Sequence, residues 1–526
     1  MKNGNRRVYE NEMRKEARRR TGGQRTNGQR TAVQKATGPK AAGRKTGGKK
    51  PGAKKAAVRN GQKEIMRVVY LFTALFLVLS GYIMIYAATH EEELVNNSYN
   101  PRQKMLVEQN TRGTIYSADG EVLARTVTGE NGESQREYPF ASLFAHVVGY
   151  STNGRMGIED QMNYYLINSN IPFSQKSENE KTGAKNPGDN VYTTLDTRLQ
   201  QTASDALGVV YDGAIIAMNP KTGEIYAMVS KPDFNPNQIT RIWDEVIADK
   251  ESSVLLNRVS QGLYPPGSTF KIVTALEYIR EHPDSYQNYR YTCNGSLTHG
   301  EDKINCYHGS VHGSVDLKKS FAKSCNTSFA NIGLSMEREE FAKTLNDLYF
   351  NKELPVGFSY NPSSIDATVQ TSDSDMMQNA IGQGKTQISP LHLAMITATV
   401  ANDGEMMKPY LVKSVKSADG TVIKKYEPAL ADRVMKEEEA AILQQYMKEV
   451  VQSGTGTKLS GLSYTAAGKT GSAEYNTVKG ESHAWFTGYA PAEDPEIVVT
   501  VIIEGAGSGG DYAVPIAKRV FDAYFQ

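Results

Sequence analysis

Between Val68 and Ala88 the chain runs for 21 residues without a charged side chain (VVYLFTALFLVLSGYIMIYAA). As an α-helix this run would be about 31 Å long, enough to cross the hydrocarbon core of a bilayer. A buried core helix seldom continues so far without a polar face. A cleaved signal peptide has a shorter apolar region, roughly 7–15 residues, followed by a small-x-small site. Tyr86 stands where that site would want a small side chain, so an uncleaved single-span anchor is expected over 68–88. The remaining residues are thereby divided between two sides of a membrane.

Charge sets the expected orientation. The 60 Lys and Arg nearly balance the 58 Asp and Glu of the 526-residue chain, but they are distributed unevenly. Residues 1–67 hold 21 basic residues against four acids, while the rest holds 39 against 54. Lys63 and Arg67 precede the span and Glu91, Glu92 and Glu93 follow it. Positive-inside then places 1–67 in the cytoplasm and 89–526 outside the cell membrane. The Gly-, Lys- and Thr-rich tail has no apolar periodicity and is expected to be disordered. It suits anionic lipid, at about 1 kcal/mol per basic residue near the surface, better than nucleic acid. Tyr9 is its one aromatic residue, so no specific nucleic-acid partner is expected.

The outer portion reads as two parts. In residues 89–190, Arg112–Val127 has a hairpin pattern, with Ile115-Tyr116 and Val122-Leu123-Ala124 around Ala118-Asp119-Gly120. Gly157–Asn168 carries a helical apolar stripe at Ile158, Met162, Tyr165 and Leu166. The turn-rich Lys181–Asn190 marks a boundary, which leaves a small α+β membrane-proximal module ahead of one larger unit over 191–526. Leu195–Leu207 reads as an amphipathic helix capped by Asp196 or Thr197. Gly213–Ser230 reads as a hairpin of two apolar strands, and Thr269–Ile279 as an apolar helix. His483–Pro491 and Glu496–Gly505 read as core strands, and Val514–Phe525 as a closing helix. Strands at both ends with helices between predict an α/β unit. Its antiparallel sheet would pair the first strand with the last, flanked by helices.

Three short constellations carry the chemistry: S-T-F-K (Ser268–Lys271), S-C-N (Ser324–Asn326) and K-T-G-S (Lys469–Ser472). Each is weak alone; the other K-T-G runs, at Lys181 and Lys221, read as turns. In this order, with 56 and 145 residues between their starts, they are specific together. A serine hydroxyl needs an adjacent base to attack at neutral pH. Three residues apart on a helix, Ser268 and Lys271 share a face. Apolar Phe270, Ile272 and Val273 would desolvate Lys271 and favour its neutral form. Pro266 and Gly267 bring the chain abruptly into that helix, so Ser268 lies at its N-terminus, where the dipole favours negative charge. Ser324 and Asn326 would relay a proton and hold a substrate amide. Lys469 and Thr470 would bind a substrate carboxylate, Gly471 would let substrate backbone pack flat on its strand, and the amides of Ser268 and Ser472 would form an oxyanion hole.

Together with AAGKTGSAE (Ala466–Glu474) and the HAWFTGYAP that follows, these motifs resemble the penicillin-binding proteins with a serine D,D-transpeptidase domain, more narrowly the class B, monofunctional type. RGTIYSADGEVLA, TLDTRLQQTA, YPPGSTFKIVTALEYI and AIGQGKTQISPLHLAM add to the likeness, which runs from about residue 100 onward and leaves out the basic tail. The resemblance implies a β-lactamase/transpeptidase-like fold. It implies that Ser268 attacks the penultimate D-alanine of a peptidoglycan stem peptide, that an amine of a neighbouring stem resolves the acyl-enzyme, and that β-lactams acylate the same serine. It also implies a membrane glycosyltransferase of the shape, elongation, division and sporulation class as partner. The rival readings are a D,D-carboxypeptidase, a β-lactamase and a non-catalytic β-lactam-binding scaffold. The membrane anchor and Asn326 weigh against the β-lactamase, and the intact motifs against the scaffold.

No cofactor or metal is expected. Cys293, Cys306, His308 and His312 invite zinc, but the first two are 13 residues apart, outside the spacing of a zinc knuckle. Free, partly buried thiols are the favoured reading, with a Cys293–Cys306 disulfide or bound zinc as alternatives. Cys325 is expected to pack beneath the site. Gln383 and Gly384 are expected in a loop lining it, with a purely structural turn as the alternative, Trp485 and Phe486 in the core or groove wall, and Met376-Met377 and Met406-Met407 in ordinary packing.

Overall fold

A computed structural model describes residues 52–90, 101–129, 133–208, 212–249, 253–476 and 481–526. The reading of 1–51 as a basic arm lies outside the described residues. Residues 1–86 and 87–526 form separate units. One helix runs Gly52–Thr89, all but its last three residues in the first unit, and contains the whole apolar span. It starts well ahead of the apolar run, so the end of the basic segment is helical where irregular chain was expected. Ala, Lys, Arg, Gln and Met in 53–67 are good helix formers that a reading focused on Gly and charge passes over.

In the second unit, Ile115–Tyr116 and Val122–Thr128 form the expected hairpin. Ser134–Glu137 extends it on one side, and Asn190–Thr193 pairs in parallel with Ile115–Tyr116 on the other. Val412–Lys416 and Val422–Lys425 then complete a six-stranded sheet. A two-stranded hairpin buries too little apolar surface to stand alone, and Val412–Lys416 begins 284 residues beyond the end of this one at Thr128. The helical stripe at 157–168 breaks at Met162 into Gly157–Gln161 and Asn163–Ile167, yet Ile158, Met162, Tyr165 and Leu166 are all buried as the stripe requires.

The fully buried Glu159 locks this module. Its carboxylate takes Arg112 Nε at 2.6 Å and Arg136 Nε at 2.7 Å, and the paired guanidinia hold it below the usual carboxylate range against the cost of burial.

The larger sheet has five antiparallel strands in the order Ala467–Asn476, Glu481–Ala490, Ile497–Ile503, Gly213–Met218, Ile225–Lys231. The first strand of this sheet in the chain, Gly213–Met218, therefore pairs with the last, Ile497–Ile503, as expected. Both faces are covered. Ile215, Ala217, Phe486 and Val499 join the core under the helices Thr197–Leu207 and Val514–Phe525. Ile216, Met218, Trp485 and Val498 face the opposite core, which includes the wholly buried helix Pro390–Ala401. Two covered faces explain why these strands read as continuous apolar runs. Asp196 caps Thr197–Leu207, accepting from Leu199 N–H at 2.8 Å. Met376, Met377 and Met406 are buried packing residues.

Replacing Glu159 by Gln would leave two buried guanidinia undercompensated. The expected loss is about 3–5 kcal/mol of stability, read as a lowered denaturant midpoint; an unchanged midpoint would mean the triad does not hold the module.

Candidate active site

Ser268 lies in a tight 3₁₀ turn, Gly267–Phe270, which runs into the α-helix Lys271–Glu281. The turn is wedged between three backbones. Gly267 has φ +54°, and a Cβ there would come within 2.9 Å of Ser472 O and 3.0 Å of Ala473 Cα. Gly382, at φ +73°, accepts from Gly267 N–H at 2.8 Å, and a Cβ on it would fall 2.1 Å from Gly267 O. Only residues without side chains permit that approach at those angles. Trp485, fully buried, donates its Nε1–H to Pro265 O at 3.1 Å; it is a core residue that fixes the turn, within the reading made from sequence.

Lys271 is wholly buried and faces Ser268 one turn back. Its Nζ is 3.0 Å from Ser268 Oγ, 2.7 Å from Asn326 Oδ1, 2.9 Å from Ser324 O and 3.3 Å from Ser324 Oγ. Burial pushes the amine down to about 7. A neutral amine has two N–H donors and one lone pair. Asn326 Oδ1 and Ser324 O can take the donors, which leaves the lone pair for the Ser268 hydroxyl. Ser324 reaches this place through a left-handed φ of +56°, sparsely populated for a non-glycine residue and held here by its surroundings. Asn326 opens the helix Asn326–Ser335, and its Nδ2 donates to Asn305 O at 3.0 Å.

Lys469–Ser472 lies on Ala467–Asn476, the edge strand of the five-stranded sheet. Lys469 is also fully buried, and its Nζ donates to Ser324 Oγ at 2.9 Å and to Thr470 O at 3.0 Å. Burial, with Lys271 nearby, holds it well below an ordinary lysine. Ser324 Oγ thus sits between two desolvated amines. Lys469 stands behind Thr470, which lines the cleft, so the charge expected of it for a substrate carboxylate would come from behind that wall. Gly471 lines the cleft and is also closely packed: a Cβ there would lie 3.0 Å from Pro266 O and 3.1 Å from Thr269 Cγ2 and Trp485 Cβ. Its bare face lets the strand approach the Ser268 turn.

These groups open onto a cleft of about 1280 Å³, lined by Ser268, Ser324, Asn326, Thr470, Gly471 and Ser472 among others. Gln383 and Gly384 line it too, as expected. With the Gln383 amide turned so that its oxygen meets Glu474 N–H, it accepts there at 3.0 Å and donates to Glu474 O at 3.2 Å. Thr455, hydrogen-bonded to Thr470 Oγ1, also lines the cleft and was missed from sequence. Its S-G-T-G-T run was the available signal. Cys293, Cys306 and Cys325 are all buried and free of disulfides. They gather with His312 into one group able to hold a metal, which exposed His308 does not join, though it lines the cleft.

A serine on a helix-opening turn, a desolvated lysine against its hydroxyl and a second serine between two amines define a serine acyl-transfer site with a lysine base. Comparison with known proteins agrees. Residues 213–522 match the penicillin-binding protein transpeptidase domain, and residues 112–191 match the penicillin-binding protein A dimerisation domain. A peptidoglycan D,D-transpeptidase PbpA of Mycolicibacterium smegmatis is 31% identical over 460 residues, covering 81% of this chain and 91% of that one. The imipenem acyl-enzyme of penicillin-binding protein A from M. tuberculosis superposes with a TM-score of 0.73 at 28% identity, covering 80% of this chain and 99% of that one. A D,D-transpeptidase domain structure from Eggerthella lenta gives a TM-score of 0.71 at 32% identity, covering 79% and 98%. The chain belongs to the penicillin-binding protein transpeptidase family, and it is a serine acyl-transfer enzyme.

Gly471→Ala would press a methyl group onto Pro266 O, Thr269 and Trp485. An overpacking cost of about 1–3 kcal/mol is expected, together with a slowed reaction at Ser268, because the strand must retreat from the turn. Thermal unfolding and acylation rate measured on the same sample check both effects.

Proposed function

We propose that this protein is a peptidoglycan D,D-transpeptidase working at the outer face of the cell membrane. The contact of Lys271 Nζ with both Ser268 Oγ and Ser324 Oγ is the observation that carries the reading. In the first half-reaction Lys271 takes the Ser268 hydroxyl proton as Oγ bonds to the carbonyl carbon of the penultimate D-alanine. The developing oxyanion is met by the amides of Ser268 and Ser472. The C–N bond to the terminal D-alanine then breaks, and its nitrogen receives a proton passed through Ser324. In the second half-reaction a neighbouring stem's amine attacks the ester, gives up its proton along the same path, and regenerates Ser268. Asn326 orients the substrate amide. Thr470 and Ser472 hold the terminal carboxylate, with Lys469 behind them supplying charge when that carboxylate is bound. β-Lactams acylate Ser268 by the first half-reaction.

The finer assignments belong to the same proposal. Residues 1–67 face the cytoplasm, where the basic tail rests on anionic lipid. Residues 89–190 form a membrane-proximal pedestal for the catalytic part at 191–526. The glycan strands come from a membrane glycosyltransferase of the shape, elongation, division and sporulation class. A periplasm-active phosphatase fused after Gln526 should be active, and the same enzyme fused ahead of Met1 inactive; the reverse pattern would overturn the orientation.

Acylation by a fluorescent penicillin should be stable for hours in the wild type and absent in Ser268→Ala. Rapid loss of label would point to a β-lactamase, and no label on folded wild-type protein to a scaffold. The rate should also rise with pH, with a midpoint near 7. Below that value Lys271 carries a proton and cannot take one from Ser268, and above it the free amine can. A flat profile from pH 5 to 9 would remove Lys271 from the role of base.

A further inference from the structure

The segment from Tyr291 to Val315 is an extension with little core of its own. It holds two small pairings, Ser296–His299 with Asp302–Asn305 and Tyr291–Cys293 with Gly313–Val315. Between these limits only Cys293, Gly295, Ile304, Cys306 and Val315 are buried. Its exposed side nevertheless faces the catalytic cleft, where Lys303, Tyr307 and His308 form part of the lining. Tyr307 reaches across to the edge strand, its phenol against the side chain of Ser472 and near Asp511 and Glu474.

Tyr307 is held in that place although its side chain is largely open to solvent. Ser310 donates to Tyr307 O twice, from its N–H at 3.2 Å and from its Oγ–H at 2.9 Å. The ring packs edge-on against His308 with centroids 4.1 Å apart, and His308 takes a left-handed φ of +50°. That backbone conformation is sparsely populated away from glycine and tends to collect at functional sites. Partial burial and the two nearby carboxylates push the phenol's pKa up, so it stays a hydrogen-bond donor at neutral pH.

The chemistry of the site calls for such a donor. A carboxylate accepts about four hydrogen bonds. Thr470 and Thr455 bond to each other through their hydroxyls, so one proton of that pair is committed. Ser472 Oγ accepts from Gly509 N–H at 3.3 Å, which leaves its own proton free to point into the cleft. Lys271 and Lys469 are both pushed down by burial. Lys458, at the cleft, is paired with Asp511 at 2.9 Å. Hydroxyl protons are therefore left to make much of the contact with an anionic group, and Tyr307 brings a further one to Ser472.

We propose that Tyr307 is a substrate-binding residue that donates its phenolic hydrogen bond to the C-terminal carboxylate of the donor peptide, beside Ser472, and so favours donors in which that carboxylate is free. The inference rests on the D,D-transpeptidase reading, in which Thr470 and Ser472 hold the same group.

The test uses full-length protein in detergent and compares wild type with Tyr307→Phe, each acylated by a penicillin and by its methyl ester. The ester masks the carboxylate, and the acid-to-ester rate ratio within each protein is the readout, so a general loss of folded protein cancels. With the acid, the second-order acylation constant should fall about tenfold in Tyr307→Phe, the effect of losing one hydrogen bond to a charged group. With the ester, the two proteins should react alike. An equal fall with both ligands would give Tyr307 a structural role and overturn the proposal, as would no fall with the acid. A wild type that does not distinguish acid from ester would instead overturn the carboxylate role of Thr470 and Ser472, and this inference with it.

Discussion

Placing an ammonium in a protein interior costs several kcal/mol, and a lysine so placed answers by giving up its proton. Lys271 is in that position, beneath the 3₁₀ turn of Ser268 and about 5.3 Å from the centre of the Phe329 ring. The catalytic arrangement follows from the need to satisfy that amine. Its two donors require acceptors, and Ser324 O and Asn326 Oδ1 provide them only because Ser324 takes a left-handed turn that brings both groups to the same point. The lone pair is then left for the hydroxyls, of which Ser268 Oγ at 3.0 Å is nearer than Ser324 Oγ at 3.3 Å.

The second constraint is proximity of backbones. The edge strand, the nucleophile turn and the loop at Gly382 meet closer than side chains allow, and Gly267, Gly382 and Gly471 are the residues at the contacts. Trp485 completes the arrangement from the neighbouring strand by holding Pro265. The wall of the cleft that carries Ser268 and Ser472 is consequently built of closely packed backbone. Beyond Ser472 the Gln383 side chain occupies the strand's polar edge at Glu474, so an extended substrate has only a short length of free backbone to pair with. Such a limit suits a ligand that enters by one end and is held chiefly at its terminus.

Much of this was legible in the chain. Ser268 and Lys271 are neighbours on a helix face by spacing alone, and the order of the three motifs brought Ser324, Asn326, Lys469 and Ser472 into the same site. The paired first and last strands could be read because each is an unbroken apolar run. What escaped depends on contacts distant in sequence. Thr455 enters the cleft through the path of a loop after a long helix. Val412–Lys416 completes a sheet begun near residue 115, and nothing local announces it. The packing of Gly471 against Pro266 is a tertiary contact that the reading from substrate alone did not include. The break at Met162 left the buried face intact, so the apolar stripe could not reveal it. The helix start at Gly52 was hidden by charge and glycine in a segment otherwise rich in helix formers.

The middle residue of the Ser324–Asn326 motif joins these constraints. Its neighbours turn toward Lys271, so Cys325 turns away from the cleft and is buried against Cys293, Cys306 and Thr327. One side of a single turn therefore orients the groups that satisfy the catalytic amine, and the other side is anchored in the base of the 291–315 extension. That extension also returns a direct contact to the site, because Asn305 O receives the Asn326 amide. Displacing the base of the extension would loosen both Cys325 and that hydrogen bond, and with them the Asn326 oxygen that leaves the Lys271 lone pair free for Ser268. The geometry of the base is in this sense set from outside the cleft, by a lobe with too few apolar residues to hold itself in place.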